Sequence, residues 1–207
     1  MLEGLSGSYL EYLVMIGVPV AALVALGYSI FNSKWIAKQD PGTDRMKAIA
    51  SYIHEGAMAF LKAEYRILGI FVLVVACLLA LVYYLTYGQV QTSLVAVSFI
   101  VGAICSATAG FFGMKIATKA NVRTAHAAEG GLNKALKVAF RGGAVMGMTV
   151  VGLGLLGIIC LFLLYTNLLP DNMVLIDGQL INMKMRNVLE VLTGFSFGAS
   201  PSHCLHV

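Results

Sequence analysis

Two short patterns in this 207-residue chain have the residue types to hold a metal or a cofactor. His54-Glu55 resembles the opening of an HExxH zinc motif, in which two histidines four residues apart share one helix face. Position 58 is Met58, so the second ligand is missing. Gly152-Leu153-Gly154-Leu155-Leu156-Gly157 matches the GxGxxG dinucleotide fingerprint, with Asp177 further on. That fingerprint works by setting a helix N-terminus against a pyrophosphate just after a strand. Here the glycines fall mid-way along an apolar run, where close helix packing explains them. Cys77, Cys105, Cys160 and Cys204 stand singly, three of them in apolar runs, and read as small hydrophobes with no disulfide or zinc framework.

The segment 115–141 carries six cations (Lys115, Lys119, Arg123, Lys134, Lys137, Arg141) against Glu129 alone. Such a segment attracts anions, but the bias of cations toward the cytoplasmic face of a membrane explains its sign equally well. The sequence contains no GxxxxGK[ST] phosphate loop, no Ser/His/Asp grouping and no paired carboxylates on a plausible scaffold. Read from its residues, the chain offers no catalytic, cofactor-binding or metal-ligating position.

The elements around these residues belong to a membrane. The composition is 59% hydrophobic and 12% charged, against about 45–50% and about 25% in ordinary soluble domains. Mean hydropathy is +0.84. The net charge of +4 comes from segments flanking apolar runs, not from a basic stripe interleaved with aromatics, which argues against nucleic acid as a partner. The expected class is an all-α integral membrane protein with four complete spans and the truncated start of a fifth. The residues before the first apolar run include Glu3 and Glu11 but no Lys or Arg, which argues against a cleavable signal peptide.

Residues 12–31 are uncharged and form the first span, since twenty helical residues cover about 30 Å. Lys34, Trp35 and Lys38 mark an interface, and Asp40-Pro41-Gly42-Thr43 a turn in which Thr43 or Asp44 caps the next helix. Met46, Ile49, Ile53, Gly56, Phe60, Ala63, Ile67, Ile70, Val74 and Cys77 then recur at alternating steps of three and four, which places them on one face of a continuous helix. Its charged residues all precede Ile67, so the first half should protrude and 67–87 should form the second span. A turn at 88–90 leads to a third span over 93–114, where Gly102, Ser106 and Gly110 form a small-residue face suited to another helix. After the polar connection 115–141, residues 142–169 form the fourth span. Residues 171–190 read as a polar loop, and an apolar segment too short to span begins at Val191. Six cations in 32–66, six in 115–141 and two in 171–190 place the first two segments in the cytoplasm and the N-terminus outside. No span holds an Asp, Glu, Lys or Arg at its centre, so these helices alone offer no ion path.

Four stretches resemble the membrane-bound, ion-translocating inorganic pyrophosphatases. They are GTDRMKAIASYIHEGAMAFLKAEYRIL at 42–68, GAICSATAGFFGMKIATKANVRTAHAA at 102–128, ALKVAFRGGAVMGM at 135–148 and GFSFGAS at 194–200. The resemblance implies a homodimer in the plasma membrane that hydrolyses pyrophosphate with Mg²⁺ and pumps H⁺ or Na⁺ outward. It leaves open the pumped ion and any K⁺ requirement. It also implies that 1–200 are outer-ring helices, that their partners include the bilayer and the inner-ring helices, and that the Asp-rich catalytic motifs lie beyond Ser200. The tail 201–207 does not continue the family pattern, so the chain reads as an N-terminal fragment, inactive by itself. The rival reading is a stand-alone four-span protein that packs against other membrane helices.

Overall fold

The computed structural model describes residues 2–87, 91–168, 173–176 and 179–200. Four long helices, α1 (Leu2–Ala37), α2 (Asp44–Tyr87), α3 (Gln91–Glu129) and α4 (Leu132–Leu168), are followed by a two-stranded hairpin and α5 (Met183–Ala199). All four long helices are long and apolar enough to cross a membrane. The protein is therefore a multi-pass membrane protein in contact with lipid. The expected turn at 88–90 and the tail 201–207 lie outside the described residues.

α2 is continuous over 44 residues, as its three–four periodicity requires. Its start is capped as expected, with Thr43 Oγ1 accepting the Met46 amide at 3.4 Å, after an Asp40 side chain that takes the Gly42 amide at 2.8 Å. Gly42 has a φ of 83° and turns the chain in a conformation that side chains resist.

Two expectations about connections are corrected. The segment 115–141 is not a loop: α3 runs to Glu129 and α4 starts at Leu132, with only Gly130-Gly131 between them. Lys115–Glu129 is rich in Ala, Lys and Arg, good helix formers that carry α3 on after the apolar pattern stops. Gly131, at a φ of 113°, ends it. The polar loop expected over 171–190 instead contains antiparallel strands β1 (Met173–Ile176) and β2 (Gln179–Asn182), with Ile176 opposite Gln179. Asp177-Gly178 stands between them in sequence, the pair that two-residue hairpin turns prefer. α5 then opens at Met183, eight residues before the apolar segment at Val191.

The chain divides into two compact units, Met1–Tyr65 with Thr108–Leu155, and Arg66–Ala107 with Leu156–Val207. In the first, Ile36, Ile116, Ala120 and Val145 form a buried cluster beside Trp35. Ser29 approaches Thr149 there, hydroxyl to hydroxyl, at 2.6 Å, while Thr149 donates to its own Val145 carbonyl at 2.7 Å. Such interhelical contacts contribute about 0.6 kcal/mol each in apolar surroundings. In the second unit, Val95, Leu161, Tyr165, Val188, Val191 and Phe195 form the core. The Tyr165 hydroxyl is satisfied by Ser98 at 2.8 Å.

The small-residue face of α3 meets a helix, as its spacing predicts. A Cβ at Gly102 would strike the Phe195 carbonyl of α5, and Cβ atoms at Gly194 and Gly198 would strike the Val95 and Phe99 carbonyls of α3. In the other unit Gly110 abuts the Tyr65 hydroxyl. Two of the three glycines in the GxGxxG match are likewise packing positions. Gly152 lies under Leu26 and Gly157 under the Phe195 ring, while Gly154 faces open space.

Candidate functional site

The chemistry-bearing side chains that converge lie where the α1–α2 turn meets the α3–α4 turn. Arg123, near the end of α3, gives Nε to the Gln39 carbonyl at 3.0 Å, one Nη to Lys119 O at 2.9 Å and the other to Ala37 O at 3.4 Å. Its guanidinium thus closes the C-terminal carbonyls of α1, where a cation also complements the helix dipole. His126, one turn later, stands between two carboxylates. Its Nε2 lies 3.8 Å from Asp40 Oδ2 and its Nδ1 lies 3.4 Å from Glu129 Oε2. The Nδ1 is buried and makes no hydrogen bond among the described residues, so Glu129 approaches it without bonding geometry.

α4 supplies the third wall. Arg141 stacks its guanidinium 4.0 Å above the centre of the Trp35 ring, and Lys137 reaches to 5.9 Å from the same ring. Trp35, Arg123, His126 and Lys137, though not Arg141, line a cavity of about 320 Å³ together with Gln39, Asp40, Lys134 and Val138. Lys134 and Lys137 make no ion pair among the described residues. The site brings together cations from α3 and α4, with Asp40 in the same wall, and can hold an anion. It offers no nucleophile poised beside a base.

Among the described residues, no three His, Cys, Asp or Glu side chains group closely enough to hold a metal ion. Asp40 and Glu129 flank an imidazole and do not make the oxygen-rich set that Mg²⁺ demands, so these residues do not fit that ion. His54 is accounted for structurally: its Nδ1 lies 3.0 Å from the Thr118 hydroxyl on α3. Among the described cysteines, Cys77, Cys105 and Cys160 are free thiols.

The basic cluster was visible in sequence as a run of cations, but its partners were not. Trp35 was legible as an interfacial ring, while nothing in the spacing brought it under Arg141 or placed His126 between Asp40 and Glu129. The Ser29–Thr149 pair was also missed. The signal that marks it is the run Ala22, Ala25, Ser29, Asn32, Ile36, buried residues at steps of three and four along α1.

Comparison with known proteins matches residues 23–206 to the family described as inorganic H⁺ pyrophosphatase. A K⁺-insensitive pyrophosphate-energized proton pump of Methanosarcina mazei is 42% identical over 182 residues, covering 88% of this chain and 23% of the relative. A K⁺-stimulated pyrophosphate-energized sodium pump of Thermotoga maritima is 43% identical over 145 residues, covering 69% of this chain and 19% of the relative. A putative K⁺-stimulated pyrophosphate-energized sodium pump of Clostridium tetani is 48% identical over 141 residues, with 68% and 19% covered. The chain spans about a quarter or less of the length of these curated relatives.

Proposed function

We propose, since the chain belongs to the inorganic H⁺ pyrophosphatase family, that it forms the amino-terminal, outer helices of a pump that couples pyrophosphate hydrolysis to outward transport of H⁺ or Na⁺. The family match across residues 23–206 carries this reading. In it, Mg²⁺ and the pyrophosphate are held by carboxylates on helices outside this chain, where clustered oxygens clamp the phosphates and position a water. The whole pump is a homodimer in the plasma membrane.

The partners of these helices follow from α2. At 1.5 Å per residue its 44 residues run about 66 Å, roughly twice the hydrocarbon thickness of a bilayer. The ten-residue stripe from Met46 to Cys77 is almost wholly uncovered within this chain. Ile67, Ile70 and Val74 can face lipid. Ile49, Ile53 and Phe60 lie on the half that also carries Lys47, Glu55 and Lys62, beyond the reach of acyl chains. An apolar row in that position calls for protein cover, and the remaining helices of the pump supply it.

Topology in this reading sets the N-terminus outside and the segments 32–66 and 115–141 in the cytoplasm. The contact of Arg123 with the carbonyls of Ala37 and Gln39 supports a shared side for the two segments. The positive-inside bias then supplies the side.

The test is a chimera in which this chain replaces the matched segment of the Methanosarcina mazei relative. It should hydrolyse pyrophosphate and drive ion uptake into inverted vesicles. A chimera that inserts and folds yet leaves pyrophosphate intact would refute the proposal.

A further inference from the structure

We propose that the cavity between the end of α1 and the α3–α4 turn binds a soluble phosphate oxyanion, as free phosphate or as pyrophosphate. Its cations come from the two helices that Gly130-Gly131 joins: Arg123 on α3, and Lys134 and Lys137, one turn apart on α4. Arg123 gives three of its five N–H groups to the carbonyls of Gln39, Lys119 and Ala37 and keeps two, one on each Nη. Lys134 and Lys137 make no ion pair among the described residues. The Lys134 side chain folds over the turn, where a Cβ on Gly130 would come within 3.2 Å of its Nζ. Asp40 stands in the same wall, but both its oxygens are engaged: Oδ1 accepts the Gly42 amide at 2.8 Å and Oδ2 lies 3.8 Å from His126. Glu129 likewise lies against His126, at 3.4 Å. Neither lysine is neutralised by a carboxylate.

The position selects a soluble ion. The uncharged run of α3 ends at Met114, and Arg123 and His126 follow nine and twelve residues later, about 14 and 18 Å further along a helix. The Asp40 side chain in the facing wall is 73% exposed. Water reaches this depth and acyl chains do not. The donors select the kind of ion. The spare N–H groups of Arg123 and the two ammonium groups come from separate helices, so an anion with several acceptor oxygens can engage both at once. A phosphate offers three or more such oxygens and about two negative charges near neutral pH. Acetate has two oxygens and one charge. A space of about 320 Å³ is of small-molecule size and excludes a nucleic acid or an acidic protein segment.

Cations gathered on one side by membrane charge bias alone would attract all small anions alike, and the experiment separates the two accounts. The purified 207-residue chain, in a neutral detergent with divalent metals chelated, is titrated with sodium phosphate, pyrophosphate or acetate at fixed ionic strength in an isothermal calorimeter. Phosphate, pyrophosphate or both should bind saturably, and acetate should not; the tighter of the two names the source. Lys134→Gln combined with Lys137→Gln should weaken binding about 25-fold, about fivefold for each lysine, while Lys62→Gln, an exposed lysine on α2, should leave it unchanged. Should the double variant lose its helical circular dichroism, Lys134→Gln alone gives the same readout as a fivefold loss. Absence of saturable binding by both phosphates, acetate binding as tightly, or lysine variants that bind as the parent does overturns the proposal.

Discussion

Replacing Gly198 by Ala should part α3 from α5, and the geometry sets how far. The added Cβ would collide with the Phe99 carbonyl oxygen and would lie 2.7 Å from its carbonyl carbon and 2.9 Å from its Cα. These obstacles are backbone atoms, so no rotamer change removes them. The helices must separate by about 0.5–1 Å, enough to forfeit a quarter to a half of the dispersion attraction between facing atoms. The residues that lose it include Val95, Phe99, Val191 and Phe195, all buried. Overpacking of this kind costs about 1–3 kcal/mol, offset by about 0.5–1 kcal/mol from the better helix propensity of Ala. The expected net loss is about 1–2 kcal/mol. Gly154 makes the opposite case on the same argument, because a Cβ there meets nothing within 4 Å. Gly154→Ala should therefore stabilise by about 0.5–1 kcal/mol, the propensity term alone. Unfolding of the purified chain in mixed micelles, followed by circular dichroism against denaturing detergent, reads both variants. If Gly198→Ala unfolds no earlier than the parent, or if Gly154→Ala is damaged as much, close backbone approach is not what fixes these glycines.

Arg123→Gln removes the donors that close α1 and leaves the carbonyls of Ala37 and Gln39 without their charged partner. The loss should be about 1–2 kcal/mol, read as an earlier unfolding midpoint, and Arg123→Lys should recover only part because an ammonium cannot fork to both carbonyls. Gly42→Ala forces a side chain to a φ of 83° and sets its Cβ 2.7 Å from Met46 Sδ and 3.0 Å from the His126 ring. It should destabilise by about 1–3 kcal/mol, and limited proteolysis should cut first between α1 and α2. For topology, Ala128→Cys in a background without the native cysteines should react with an impermeant maleimide only after the membrane is opened. Labelling in intact cells would invert the orientation drawn from the positive-inside bias.

How much of this was legible in the sequence depends on what each signal measures. Hydropathy measures where water is excluded, and it located the four spans. It is silent on where a helix goes after leaving the bilayer, so the Ala- and Lys-rich run Lys115–Glu129 read as a connection although its propensities favour helix throughout. The hairpin was missed for a related reason. A run as short as Met173–Ile176 does not distinguish strand from helix, and Asp177 reads in sequence as one of the polar residues of a loop. The basic cavity could not be read at all, because one wall, at the end of α1, is more than eighty residues in sequence from the two that α3 and α4 supply.

The faces of α2 carry the sharpest instance. In a soluble protein the ten-residue apolar stripe of this helix would mark its buried side. Here Leu61, Leu68 and Ala76 are buried instead, on the opposite side with His54 and Tyr65, while Ile53, Phe60, Ile67 and Val74 point away from the rest of the chain. The inversion has a physical cause. Periodicity reports which face avoids water, and in a membrane protein lipid and further helices satisfy that demand as well as the chain's own core. Small and polar side chains can then face inward, as Ser29 and Thr149 do, because the competition is no longer with water. The stripe changes surroundings along its length without changing its period. Past Ile67 it can be covered by acyl chains, and before Ile67, beside Lys47 and Lys62, it requires other protein. In the proposed pump both parts of that face would be covered, the one by acyl chains and the other by further helices, so a single period serves two surroundings.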